Sequence, residues 1–229
     1  KVFQQENYPI AYFMFTSGTT GKPKGVSINP KALSVFIDHI NKEFIIKEKP
    51  IKNSHLSLSP LYFDNFIFDL AIFTASKGCI FLLDVSIIVN QLKVGITESF
   101  KEKIMQINSI YAAPSIIKIL MTNKFFTFIS KKVSKDIFVG FGGEPFSWNS
   151  SSDLLSQLSQ NSTITNFYGP TECTCMCSSY SLNQVNYIDE RNFHEKNSSL
   201  LPIGKLFPYF SSLINNEELN KEESKRGEL

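Results

Sequence analysis

The chain has 229 residues, 42% of them hydrophobic and 19% charged, with a formal net charge of +2. That composition holds enough apolar material for one large core and excludes a disordered or fibrous chain. The basic residues are nearly all lysines scattered among acids, with arginine only at Arg191 and Arg226, which describes a solvated surface and not the clustered footprint that nucleic acid requires.

The longest apolar stretches, 10–15 and 66–73, fall far short of the roughly 18 residues that mark a membrane span. The N-terminal residues carry no apolar signal core and no initiator Met, so a cytoplasmic protein without its true start is expected. Three of the four cysteines, Cys173, Cys175 and Cys177, alternate in a C-x-C-x-C pattern. In an extended segment this puts the thiols on one face as buried strand cysteines, a poor match to the C-x-x-C pairs of zinc sites.

In chain order, an apolar strand over 12–15 runs into a loop rich in glycine and hydroxyl residues. A helix begins at Asn29-Pro30, a polar cap followed by Pro at the first helical position, and its apolar residues Leu33, Phe36, Ile37, Ile40 and Phe44 recur at helical spacing. A strand over 55–59, a helix over 64–76 closed by Gly78 and a continuous apolar strand over 79–83 form the next unit. Further helices are expected over 98–107, from Pro114 and over 152–158, and further strands over 109–112, 137–141 and 163–167. Residues 183–199 and 215–225 turn polar and irregular and read as surface loops or hairpins. The alternation predicts an α/β fold, a mostly parallel sheet with helices on both faces, with ligands at the carboxyl ends of the strands. A core over 1–182 followed by an irregular, β-rich segment over 183–229 is the expected division.

The most informative stretch is Thr16-Ser17-Gly18-Thr19-Thr20-Gly21-Lys22-Pro23-Lys24-Gly25. Glycines let backbone N–H groups turn inward as an anion nest, hydroxyls add donors and Lys24 adds a charge, a set suited to the phosphates of ATP. It is not the common P-loop, because Pro23 stands where that motif needs a hydroxyl residue after Lys22. Gly140-Phe141-Gly142-Gly143-Glu144-Pro145 is likewise not a dinucleotide fingerprint, since Pro145 occupies the place of the last glycine.

That loop resembles the signature of the adenylate-forming superfamily, which includes acyl-CoA synthetases, luciferases and the adenylation domains of nonribosomal peptide synthetases. Asn166-Phe167-Tyr168-Gly169-Pro170-Thr171-Glu172 resembles the same family's adenine and magnesium motif, and Arg226-Gly227-Glu228-Leu229 the start of a later one, in the correct order. The resemblance implies the central part of the large N-terminal domain of such an enzyme, using ATP and Mg2+. It implies phosphate contacts from Thr16, Ser17, Gly18, Thr19, Thr20, Gly21 and Lys24, and adenine contacts from Tyr168 and Asn166. It further implies α-phosphate contact from Thr171, close backbone approach along Gly142, Gly143 and Glu144, and Glu172 as the magnesium ligand. Lys24, Thr171 and Glu172 are the implied catalytic residues. Without the resemblance, 166–172 reads equally as a tight turn and Glu172 as a surface acid.

Pro60-Leu61-Tyr62-Phe63-Asp64-Asn65 resembles the block of amino-acid-activating members in which an aspartate pairs with the substrate's α-ammonium. Here that residue is Asp64, with Phe66 where a small hydroxyl residue is common. Asp64 has a second reading as the cap of the following helix. The implied pocket is lined by Asn65, Phe68, Gly140, Gly142, Phe167, Cys175 and Met176. The implied reaction is adenylation of a carboxylate, an amino acid's first of all, with transfer to a carrier-protein phosphopantetheine thiol. An acyl- or aryl-CoA ligase and a noncatalytic nucleotide-binding remnant are the alternatives. The nearest reminder among small stand-alone members is the D-alanine-activating group. The family's ribose-binding acid, hinge and C-terminal lysine domain lie beyond residue 229, so weak or absent adenylation is expected of the chain alone. His39, His55 and His194 are assigned no role and read as surface or helix residues.

Overall fold

The computed structural model describes residues 9–16, 22–47, 54–194 and 198–211. The phosphate-loop residues Ser17, Gly18, Thr19, Thr20 and Gly21, the polar run 215–225 and the motif at 226–229 lie outside the described residues.

The chain opens on a hairpin, β1 (Tyr12–Thr16) and β2 (Lys24–Ile28), paired antiparallel with Thr16 opposite Lys24. This hairpin is a sheet of its own. The loop singled out above therefore leaves and re-enters at adjacent positions, instead of leading from a strand of the main sheet. Helix α1 (Pro30–Ile40) starts as its cap predicts, Asn29 Oδ1 accepting from Ala32 N at 2.8 Å, and runs on as a π-helical turn over Asn41–Lys47 that buries Phe44.

The main sheet follows: β3 (Ser54–Ser57), α2 (Asn65–Ser76), β4 (Cys79–Leu82), α3 (Val85–Val94), α4 (Glu98–Ile104), β5 (Ser109–Ala112), α5 (Pro114–Thr122), α6 (Phe125–Ile129), β6 (Phe138–Gly142), α7 (Trp148–Ser156), β7 (Thr163–Tyr168), β8 (Ser178–Leu182), α8 (Tyr187–His194) and β9 (Lys205–Leu206). Seven strands stand in the order β4-β3-β5-β6-β7-β8-β9, parallel from β4 to β7 and antiparallel from β7 to β9. The α/β class and the mostly parallel sheet are as the alternation predicted.

Strand residues alternate between two cores, as the pleat requires. Ile110, Ala112, Val139 and Phe141 face one core with α3 to α7, whereas Tyr111, Phe138 and Phe167 face the other with α1 and α2. From β3 the chain passes outward to β4 and then returns across β3 to β5. The helices on either side of that reversal lie on opposite faces, and a crevice opens at the carboxyl ends of β3 and β5, the switch point where open α/β sheets take their ligands.

Four local expectations are corrected. Helix α2 is closed by Lys77 in the left-handed conformation (φ 52°), one residue before Gly78. Helix α3 lies where no element was expected, capped by Asp84, whose carboxylate accepts from Ser86 N at 2.7 Å. Residues 187–194, expected as loop, form α8, anchored by Tyr187, whose hydroxyl donates to Trp148 O at 2.9 Å. The cysteine trio is not in a strand: a 3-10 turn over Thr171–Cys173 is followed by Thr174 and Cys175 at positive φ, and β8 begins only after Cys177.

Candidate active site

A cavity of about 730 Å³ fills the crevice, inside the range of small-molecule sites. Its walls come from four places: β1 (Met14, Phe15, Thr16), the segment from Leu58 to Asn65 leading into α2, the ends of β5 and β6 (Tyr111, Gly142, Gly143), and the turn after β7 (Gly169, Pro170, Thr171, Cys175, Met176). Of the residues expected from sequence, Thr16, Asp64, Asn65, Gly142, Gly143, Glu144, Phe167, Thr171, Cys175 and Met176 meet here.

Asp64 sits at the start of α2, and its carboxylate makes no capping bond. It accepts instead from Thr171 Oγ1 at 2.5 Å, across 107 residues of sequence. The next residue, Glu172, accepts from Lys24 Nζ at 3.1 Å, and Thr16 Oγ1 donates to the Lys24 carbonyl at 3.4 Å. The Thr171–Glu172 dipeptide thus joins the α2 side of the cavity to the β1/β2 hairpin. Its own backbone N–H first, and then Lys24, hold the Glu172 carboxyl below the usual range, so it is ionised at neutral pH. Because the side chains of this pair are 64% and 48% exposed, the ion pair is a weak contact that a ligand can open.

The turn geometry requires Gly169, since a Cβ there would stand 2.5 Å from Met176 Cα and 2.8 Å from Cys177 N. Gly142 is similarly confined, its missing Cβ 2.6 Å from the Phe167 carbonyl oxygen. Gly143 holds φ at 85°, a backbone conformation that favours glycine, and a Cβ there would meet Asn65 Nδ2 at an ordinary contact distance of 3.7 Å.

Three other expected residues, Phe68, Gly140 and Asn166, are buried and do not line the cavity. Phe68 and Gly140 are buried beneath it, where the absent Gly140 side chain leaves room for the rings of Phe167 and Tyr111. Asn166 is buried and donates from Nδ2 to the Pro202 carbonyl at 2.8 Å, whereas the Tyr168 ring is 40% exposed at the end of β7. Glu144, at the rim, accepts with both carboxylate oxygens from Ser115, backbone N–H and hydroxyl, at 2.9 Å each, and so holds the start of α5.

Tyr111 is the principal residue that sequence reasoning missed. Its hydroxyl donates to Asn65 Oδ1 at 3.1 Å in the cavity wall, and burial pushes it well above the ordinary range, which keeps it a neutral donor. The available signal was its place at the end of a strand beside the switch point. Burial first, and then the charges of Asp64 and Asp69, push the Cys175 thiol up, so it offers a small neutral surface. Ser59 Oγ, in the cavity wall, and Tyr12 Oη are buried and without a hydrogen-bond partner among the described residues.

His55 is not a surface or helix residue. It is buried on β3, with Nε2 2.6 Å from Asp69 Oδ1 and Nδ1 2.8 Å from Ser109 Oγ. Among the described residues no group of three or more His, Cys, Asp and Glu could hold a metal ion, and no helix is long and apolar enough to cross a membrane. Mg2+ is usually held through one or two carboxylates together with substrate phosphates and waters, and a single accessible Glu172 fits that mode but not an all-protein cage.

The family described as AMP-binding enzyme matches residues 4–229. The chain is 32% identical over 223 residues to a D-alanine–D-alanyl carrier protein ligase of Streptococcus pneumoniae, covering 94% of this chain and 38% of that protein. It is 28% identical over 176 residues to the hybrid PKS-NRPS synthetase TAS1 of Pyricularia oryzae, covering 76% of this chain and 9% of that protein. Among solved structures, the Vibrio cholerae adenylation domain AlmE, in complex with glycyl-adenosine-5'-phosphate, superposes with a TM-score of 0.63 at 21% identity over 88% of this chain and 34% of that one. IdnL1 superposes with a TM-score of 0.68 at 18% identity over 95% of this chain and 40% of that one. The chain spans about two fifths or less of the length of each of these proteins. With the family match running over nearly all of its residues, the chain belongs to the AMP-binding enzymes, the adenylate-forming ligases.

Proposed function

We propose that the protein carrying this chain adenylates the carboxylate of an amino acid, with ATP and Mg2+, and passes the product to a carrier-protein thiol. The observation that carries this reading is Asp64, a half-buried carboxylate in a cavity wall that also presents the apolar side chains of Phe15, Leu58, Phe63, Ile116, Phe167 and Met176, whereas the other carboxylate there, Glu144, is taken by Ser115. An ammonium group entering such walls must be paired, and a fixed carboxylate pairs it. The relatives named as D-alanine carrier protein ligases support both the substrate class and the acceptor.

In this reading the substrate carboxylate oxygen attacks the α-phosphorus and pyrophosphate leaves, with no protein nucleophile. Lys24 and the hydroxyl of Thr171 neutralise charge on the phosphoryl oxygens, and Tyr168 and Asn166 lie at the adenine end. The loop residues Ser17, Gly18, Thr19, Thr20 and Gly21 are assigned to the phosphates by their motif alone. Glu172, released from Lys24, would hold Mg2+, which when bound would supply charge neutralisation and alignment. The pyrophosphate-exchange assay on the complete protein tests the reading. Exchange dependent on an amino acid is expected, and exchange supported only by carboxylates without an amino group would overturn it in favour of a CoA ligase.

A further inference from the structure

The buried polar cluster behind the cavity has no place in the chemistry just described. Ser57 and His55 lie on β3, Ser109 on β5 and Asp69 on α2, and all four are at most 2% exposed. Ser57 Oγ donates to Asp69 Oδ2 at 2.6 Å, His55 Nε2 lies 2.6 Å from Asp69 Oδ1, and His55 Nδ1 lies 2.8 Å from Ser109 Oγ. A carboxylate only accepts, so Nε2 carries a proton, and the Ser109 hydroxyl completes the imidazole at Nδ1. The cluster is closed upon itself: both oxygens of Asp69 and both nitrogens of His55 are occupied within it, and none of the four residues lines the cavity.

Such a cluster holds a position. It ties α2 to the two strands between which the sheet order reverses, and it does so one turn after the residues that α2 contributes to the cavity. Asp64 and Asn65 precede Asp69 by five and four residues, roughly 6–8 Å along the helix axis. Apolar packing of Phe68 and Ile72 against the sheet fixes the face of α2 but leaves its sliding along the strands soft, because dispersion is not directional. Three short hydrogen bonds in a low-dielectric interior are directional and are costly to break singly.

We propose that Ser57, Asp69, His55 and Ser109 are positioning residues for substrate recognition. They set the height of α2 over β3 and β5, and so place Asp64 against Thr171 and Asn65 against Tyr111. The inference rests on the proposed function, in that Asp64 is the substrate anchor, but it assigns a role to residues that contact no substrate.

The test compares Ser57→Ala and His55→Leu with Ser162→Ala in the complete protein. Ser162 is an equally buried serine just before β7, away from α2, where its hydroxyl accepts from Ile137 N at 3.1 Å. Removing one charge-assisted bond should raise the amino-acid KM roughly tenfold in Ser57→Ala, with the ATP KM changed by less than about twofold. Ser162→Ala should lower Tm without this split. Amide hydrogen exchange gives an activity-independent reading, and Ser57→Ala should quicken exchange in the first turn of α2 and leave β6 and β7 unchanged. If His55→Leu fails to fold, Ser57→Ala decides alone. A loss of Tm with an unchanged amino-acid KM and uniform exchange would overturn the inference. Absence of amino-acid-dependent exchange in the unsubstituted protein would instead overturn the functional reading, and the hydrogen-exchange comparison would then decide the positioning role.

Discussion

Replacing Asp64 by Asn removes a charge from the cavity wall while keeping an oxygen that can accept from Thr171 Oγ1, so it isolates the charge from the hydrogen bond. Two unit charges about 4 Å apart attract by roughly 4 kcal/mol at the effective dielectric of a half-buried site, and desolvation of both groups offsets part of that. A net loss of about 2.7 kcal/mol is left, corresponding to about a hundredfold in kcat/KM for the amino acid. Because the contact is with the substrate's ammonium group, the ATP KM should hardly move, and a carboxylate lacking that group should be handled as well or better. The assay is pyrophosphate exchange by the complete protein, with amino acid and ATP varied separately. A change below about threefold in the amino-acid kcat/KM would refute the pairing and leave Asp64 as a holder of Thr171.

Gly169→Ala places a methyl group 2.5 Å from Met176 Cα, where only backbone movement can make room, so a loss of about 1–3 kcal/mol in urea unfolding is expected together with loss of nucleotide binding. Lys24→Ala removes an exposed ion pair worth at most about 1 kcal/mol, so Tm should be nearly unchanged while exchange activity falls at least tenfold, in keeping with a functional and not a stabilising pair. Phe126→Ala, emptying a fully buried site under α6, should cost roughly 3–5 kcal/mol in the same unfolding assay. Burial and the neighbouring Cys173 push the Cys177 thiol up to about 11, and Cys175 is also raised, so both remain protonated at pH 8 and gain thiolate only as pH rises. Iodoacetamide at pH 8 should therefore label the exposed Cys79 and spare Cys175 and Cys177 until urea is added, as read by peptide mass spectrometry.

What could be read from sequence was whatever local chemistry decides. Asn29-Pro30 starts a helix with its own side chain, and Ser109–Ala112 is a short strand directly before the helix that Pro114 opens, so both stand where they were expected. Helix α3 was hidden because Val85, Ile87, Ile88 and Val89 are β-branched and follow an apolar strand directly. The signals that decide it are the capping carboxylate of Asp84 and Gly95 after its end. Helix α8 was hidden by its polarity, although Asp189 and Glu190 in its first turn and Arg191 and His194 in its last complement its dipole. The site was legible wherever one short motif supplies it. Pairings across long separations, Asp64 with Thr171 or His55 with Asp69 and Ser109, belong to the tertiary fold, and no spacing announces them.

The same long-range pairings bear on how the proposed ligands would influence each other. Thr171 and Glu172 are neighbours in sequence, yet one holds Asp64 on the α2 side and the other holds Lys24 on the hairpin. In the proposed reaction the Thr171 hydroxyl would turn to the nucleotide and Glu172 would hold Mg2+, and both leave from one turn confined by Gly169 and by the Cys177 N to Tyr168 carbonyl bond of 2.8 Å. Asp64, relieved of Thr171, would be free to take an ammonium group, and Lys24, relieved of Glu172, to turn to the phosphates. On the proposed reaction, nucleotide and amino acid are therefore expected to favour each other's binding by the same free energy, as linked ligands must, and the amino-acid Kd measured with and without nucleotide checks it.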